Sequence, residues 1–158
     1  MQDEAAPATA DDDRLRLIAL DAEDLAVLSA HVQDAVLKVG QMRWMPSERR
    51  FLIGLNRFAW EIMPDGRRRR EGYQRRRAAL HFERVEAVRS TGIDRSASEA
   101  VLALLAVRFE PRESPSGEVL LEFAGGATLR LAVECLEAQL ADLGPAWSTP
   151  HAPRHVLV

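Results

Sequence analysis

Apolar residues fall at every second position on both sides of a glycine pair: Val119, Leu121 and Phe123, then Gly125-Gly126, then Leu129, Leu131 and Val133. Period two on either side of a glycine break predicts a β-hairpin. A two-residue Gly-Gly loop would pair Phe123 with Thr128 and set the two apolar rows on opposite faces. A three-residue loop over 125–127 pairs Phe123 with Leu129, Leu121 with Leu131 and Val119 with Val133, so that all six share the face that must be buried. It also sets Glu122 opposite Arg130 on the other face and calls for a glycine at positive φ. After Glu134 the spacing changes to four and three, Leu136, Leu140 and Leu143, and Gly144-Pro145 follows. That pattern reads as a short helix with a strong stop, too short to stand alone and therefore laid on the sheet by its leucines.

The same reading extends along the chain. Leu15 and Leu17 alternate within 14–20, a first strand. Asp21 is a good N-cap, Glu23 and Asp24 put negative charge in a first turn, and Leu20 and Leu25 occupy the two positions of a hydrophobic staple. Leu25, Leu28, Val32 and Ala35 or Val36 make an apolar stripe, which predicts a helix over 22–36. Met42 and Trp44 alternate, Pro46-Ser47-Glu48 turns, and Phe51, Ile53 and Leu55 give the next inner row. At Asn56-Arg57 the apolar phase slips to Phe58 and Trp60, which predicts a bulge or bend near Asn56. Residues 64–74 read as a loop, 79–88 as a strand with a second slip at Val85, and 90–98 as another loop. The near-continuous apolar run over 100–109 predicts a central strand buried on both faces.

The expected fold is thus α+β: a mostly antiparallel sheet or partly open barrel, with an N-terminal helix and a C-terminal capping helix. A pleckstrin-homology-like barrel is compatible with this order by analogy alone. Residues 1–13, with Asp11, Asp12 and Asp13, read as a disordered acidic tail. Residues 14–147 read as a single domain and 148–158 as a flexible tail.

Composition narrows the class. A chain of 158 residues that is 47% hydrophobic can build its own core. It has no apolar run of about 18 residues, so no membrane span is expected, and its polar, acidic start is unlike a signal peptide. Cys135 is the single cysteine, which excludes an internal disulfide and points to a reducing, cytoplasmic setting. A net charge of −3 exerts no general pull on nucleic acid or anionic lipid. Lys38 is the one lysine among 21 basic residues, so an arginine carries less information here than usual.

The most concentrated chemistry is Arg67, Arg68, Arg69, Arg70, Tyr73, Arg75, Arg76 and Arg77: seven arginines within eleven residues, with an aromatic between. Guanidinium forks grip phosphates and a tyrosine stacks on a base; the same residues also fit a solvated loop, or one that contacts the acidic tail. His151 and His155 have metal-like spacing but lack ligand partners. His31 and His81 read as structural or surface residues, Asp94 and Glu99 as loop capping. Cys135 reads as a small buried hydrophobe, and Trp44, Trp60 and Trp147 as anchors. No phosphate-binding glycine loop, dinucleotide fingerprint, zinc set or nucleophile elbow occurs. No catalytic residue, metal or cofactor is therefore assigned.

The segments LRLIALDAEDLAVLSAHVQDAVLKVGQM (15–42), RRRAALHFERVEAV (75–88), GID (92–94) and VECLEAQLADLGPAW (133–147) resemble a family of uncharacterised alphaproteobacterial proteins, a domain of unknown function. The resemblance implies a cytosolic protein and a gene neighbourhood containing histidinol dehydrogenase; it carries no activity or site residue. Three functional readings follow. The first is a non-catalytic interaction or regulatory module, meeting an unknown protein partner through a sheet edge or the 67–77 arginines. The second is an RNA-binding protein that uses those arginines on phosphates, and the third an enzyme of unknown chemistry.

Overall fold

The computed structural model describes residues 14–62, 68–144 and 147–148, with backbone alone for 60–62, 68–74 and 147–148. The tails, Arg67, His151 and His155 lie outside the described residues. The elements are β1 (Arg16–Ala19), α1 (Ala22–His31), β2 (Val36–Lys38), β3 (Met42–Met45), β4 (Arg50–Ile62), β5 (Arg68–Phe82), β6 (Val85–Thr91), β7 (Val101–Pro111), β8 (Gly117–Phe123), β9 (Thr128–Val133), β10 (Ala138–Asp142) and β11 (Trp147–Ser148). The strands form one open antiparallel sheet in the order β1-β10-β5-β4-β2-β7-β8-β9-β6, with β3 on β4 and β11 on β5.

The expected pair of terminal helices does not form. The α-helix of the described residues, α1, follows a strand, and the segment expected to cap the C-terminal end is β10. Leu136 and Leu140 fit a helical period, but Ala138, Leu140 and Asp142 also alternate, and these three are the buried ones. Leu143, the third leucine of the supposed stripe, is 56% exposed. Pairing decides the outcome: β10 is hydrogen-bonded between β5 and β1, through Leu140 opposite Leu80 and Leu17. A single turn or two of helix could not match that ladder.

α1 begins as its chemistry requires, with the Asp21 carboxylate accepting from the Asp24 amide at 2.8 Å. It is shorter than expected because the chain leaves the helix at Val32 and turns through Asp34 at φ 66. Val32, Ala35 and Val36 are still buried, but beyond the helix. Leu20 is 62% exposed, so the staple is not made.

The β8–β9 hairpin keeps the expected parity and the expected loop length, displaced by one residue. Its loop is Ala124–Gly126, with Gly125 at φ 86 and Gly126 at φ 89, and Leu121 pairs with Leu129 and Val119 with Leu131. A shift of two in register leaves every apolar side chain on the same face. Glu122 therefore faces Thr128 and pairs with Arg108 instead of Arg130, while Arg130, Arg112 and Arg89 converge on Glu118 at 2.9–3.0 Å. Leu120 lies between Arg108 and Arg130 in the ladder and is only 3% exposed, as expected where arginine stems cover an apolar neighbour.

β7 is not buried on both faces. Leu104 and Val107 are buried, but Val101 and Leu105 are 38% and 45% exposed, with a register irregularity between Leu104 and Ala106. The core is one cluster that runs from Leu25 and Leu28 of α1, through Ile53, Leu80 and Phe82, to Leu104, Leu121, Phe123 and Leu131. The chain crosses between the two halves of the sheet at Glu83-Arg84, where Arg84 takes φ 61.

Candidate functional site

The arginine segment is strand along its described length: β5 starts at Arg68 and pairs with β4. The ladder is irregular between Phe58 and Trp60, which face Arg75 and Arg70, so four residues of β5 bulge opposite one of β4. The irregularity expected near Asn56 thus sits past Phe58. Of the candidate residues, Arg68, Arg69, Arg70 and Tyr73 are placed by backbone only.

Arg75, Arg76 and Arg77 are drawn into the fold. Arg75 is 5% exposed and its guanidinium lies 5.2 Å from the Phe58 ring centroid; burial pushes its pKa down. Arg77 lies across Gly54, where an added Cβ would come within 2.6 Å of its Nη2. Arg76 falls on the core face, because it shares parity with Ala78 and Leu80 and stands opposite Arg57, the successor of Leu55 in the inner row. The apparent phase slip at Arg57 is therefore a charged end to the core row. Asp142 ends the corresponding row of β10.

These three close on one another. Arg57 Nε and Nη2 donate to Oδ1 and Oδ2 of Asp142, each at 2.8 Å, a bidentate fork. The Leu15 amide donates to Oδ2 at 2.7 Å. Arg76 Nε stands 3.7 Å from the same oxygen. The Asp142 side chain is 0% exposed and those of Arg57 and Arg76 are 4% and 7%. All three keep the period-two parity of the buried rows they end, which is the signal in the sequence that locates them.

His31 closes the last turn of α1 beside this cluster, its Nδ1 donating to the Val27 carbonyl at 3.0 Å. Burial lowers its pKa first of all and the Arg57 charge lowers it further, outweighing the Val27 hydrogen bond and Asp142. The unfolded chain therefore takes up a proton near pH 6.5 that the folded chain resists, so stability is lost as the pH falls below about 6.5. Urea midpoints measured across that range should fall less steeply for His31→Asn than for the parent; equal slopes would rule this linkage out. His81 instead pairs with Glu83 at 2.8 Å, which Arg50 also meets at 2.7 Å. Burial raises the Glu83 pKa, but the hydrogen bonds from Arg50 and His81 outweigh it and leave it below the usual carboxylate value.

A second site went unread in the sequence. Among the described residues, β3 and β6 each have a ladder on one side only. One end of the space between them is closed where the Val85 amide donates to the Arg49 carbonyl at 2.8 Å. The other is closed where the Gly40 amide donates to the Ser98 carbonyl at 2.9 Å. The slot has a volume of about 240 Å³ and is lined by Met42, Trp44, Phe51, Val88, Ile93 and Leu129, with Ser90 and Arg95 as its polar side chains. Arg95 is exposed and has no ion-pair partner among the described residues. Met42 and Trp44 alternate in the sequence, but only the strand order shows that no strand of the described residues covers them.

Asp94 caps its own loop, accepting from the Ser96 amide and hydroxyl at 3.0 and 2.7 Å, and Glu99 pairs with Lys38 at 2.7 Å. Cys135 is a half-buried free thiol in the β9–β10 connection. Among the described residues no three of His, Cys, Asp and Glu cluster as a metal site, and no helix is long and apolar enough to cross a membrane.

The fold and these two sites describe a mixed, predominantly antiparallel β protein with one α-helix among the described residues. The family described as Protein of unknown function (DUF2948) matches residues 15–155, and the chain belongs to that family. No curated protein and no solved structure matches it.

Proposed function

We propose that this chain is a non-catalytic interaction module of the cytoplasm, whose protein partner seats one apolar side chain in the slot between β3 and β6. The observation that carries this reading is the slot itself: a cavity of about 240 Å³, lined mainly by apolar side chains, between two sheet edges that have no further neighbour among the described residues. Unpaired edges are where sheets recruit another chain, and a pocket that desolvates one large side chain is the usual form of a hot spot. Because both ends of the slot are hydrogen-bonded shut, it suits an inserted side chain better than an added strand. Arg95 at its wall favours an acidic residue beside the inserted one.

The competing RNA reading draws on the arginines of β5. Arg75 and Arg76 are buried and Arg77 is laid on the sheet, which leaves fewer guanidinium groups for phosphates than the sequence suggests.

Ser90 is exposed and lines the slot, so Ser90→Trp fills it with little effect on the core. Tagged protein recovered from native lysate after nuclease treatment should retain a partner, and Ser90→Trp should bind that partner at least about tenfold more weakly. Equal retention by the variant would sink the slot reading. RNA recovered without nuclease, with affinity that falls steeply as salt rises, would put the RNA reading in its place.

A further inference from the structure

Arg76 is a surplus charge. Asp142 has one negative charge, and its two oxygens already accept both arms of the Arg57 fork and the Leu15 amide. Arg76 approaches that carboxylate only to 3.7 Å, beyond hydrogen-bond distance. Its side chain is more than nine-tenths buried, and its Nη1 is buried with no hydrogen-bond partner. Arg57 and Arg76 against Asp142 leave a net charge of +1 in the interior. An ion held there without a counter-charge or hydrogen bonds costs several kcal/mol, and an arginine cannot escape by losing its proton.

Asp142, the one buried carboxylate among the described residues, does not neutralise the pair of arginines, and the neighbouring His31 adds no negative charge. His31, which feels both Arg57 and Asp142, is neutral or cationic. A planar guanidinium with a buried, unpartnered Nη1 offers the fork geometry that matches an oxyanion.

We propose that Arg76, with Arg57 beside it, is an oxyanion receptor that takes a phosphate or carboxylate group at the charged end of the β4–β5 core row. Asp142 holds Arg57 rigid and, by its own charge, keeps the site from binding anions indiscriminately. The site is distinct from the β3–β6 slot and does not depend on it.

The test compares the parent chain with Arg76→Gln in a weakly binding buffer, to which inorganic phosphate or acetate is added at constant ionic strength. Thermal unfolding and calorimetric titration are the readouts. Phosphate or acetate should raise the Tm of the parent in a saturable way. Arg76→Gln should weaken that binding by about ten- to a hundredfold, the equivalent of losing one or two charge-assisted hydrogen bonds. The anion with the lower Kd identifies the group, phosphate or carboxylate. Without added anion, Arg76→Gln should unfold at the same temperature as the parent or higher, because the surplus charge is gone.

Two results would overturn the proposal. One is an equal Tm response of both proteins, or none, which would mark any gain as a general salt effect. The other is a Tm lowered by Arg76→Gln in anion-free buffer, which would make Arg76 a structural partner of Asp142.

Discussion

Asp142→Ala is expected to destabilise the protein by about 3–5 kcal/mol, the range found when one partner of a buried ion pair is removed. The substitution deletes the acceptor of the Arg57 fork and of the Leu15 amide. It leaves Arg57 and Arg76 facing one another across β4 and β5 with no negative charge between them. The loss also reaches β1, because Leu15 and Asp142 exchange two hydrogen bonds: the Leu15 amide to the carboxylate, and the Asp142 amide to the Leu15 carbonyl at 2.9 Å. Against a total stability of about 5–15 kcal/mol for a domain of ordinary size, such a loss would leave the variant marginal. Urea unfolding of the two proteins gives the difference directly. The triple variant Arg57→Met, Arg76→Met, Asp142→Leu should recover much of it, since replacing every ion of a buried cluster by apolar groups of similar size is often close to neutral. A loss below about 1 kcal/mol for Asp142→Ala would mean that Arg57 finds water when its partner goes.

This cluster also marks where sequence reasoning stopped. Alternation located β8 and β9, their shared face and the three-residue loop, because a buried face allows only one parity. It missed the register by two residues, because a shift of two costs no burial and only the Glu122–Arg130 pairing argued against it. At Arg57 a charged residue at an inward position mimics a change of phase, although Leu55, Arg57, Ala78, Arg76 and Asp142 continue their rows unbroken. β10 resembles a helix in sequence for a related reason. Leu136 and Leu140 satisfy both periods, and the residue that decides between them is the buried Asp142, which reads as a solvent-facing position until Arg57 is known to lie across from it. The slot between β3 and β6 lay beyond reach on other grounds: whether an edge has a neighbour is a property of strand order, which no local pattern encodes.

Phe82→Ala is expected to cost about 3–5 kcal/mol as well, by transfer and cavity terms together. Phe82 is 0% exposed and ends β5, where it faces Phe51 of β4 and Ala138 of β10. Three residues later the chain has turned through Arg84 and entered β6 at Val85, also 0% exposed. Phe82 therefore stands where the β4–β5–β10 half of the sheet meets the β7–β8–β9–β6 half. The way its loss spreads reports whether the halves are one cooperative unit. The continuous core from Leu28 through Phe82 and Val85 to Leu121 and Leu131 predicts that they are. Native-state hydrogen exchange should then show the slowest amides of β4 and those of β8 losing protection by the same free energy, equal to the loss measured by urea. If the β8 amides kept their full protection while those of β4 lost theirs, the hairpin half would be a separate unit. The Glu83-Arg84 corner would then be a joint between two units and not a bend within one core.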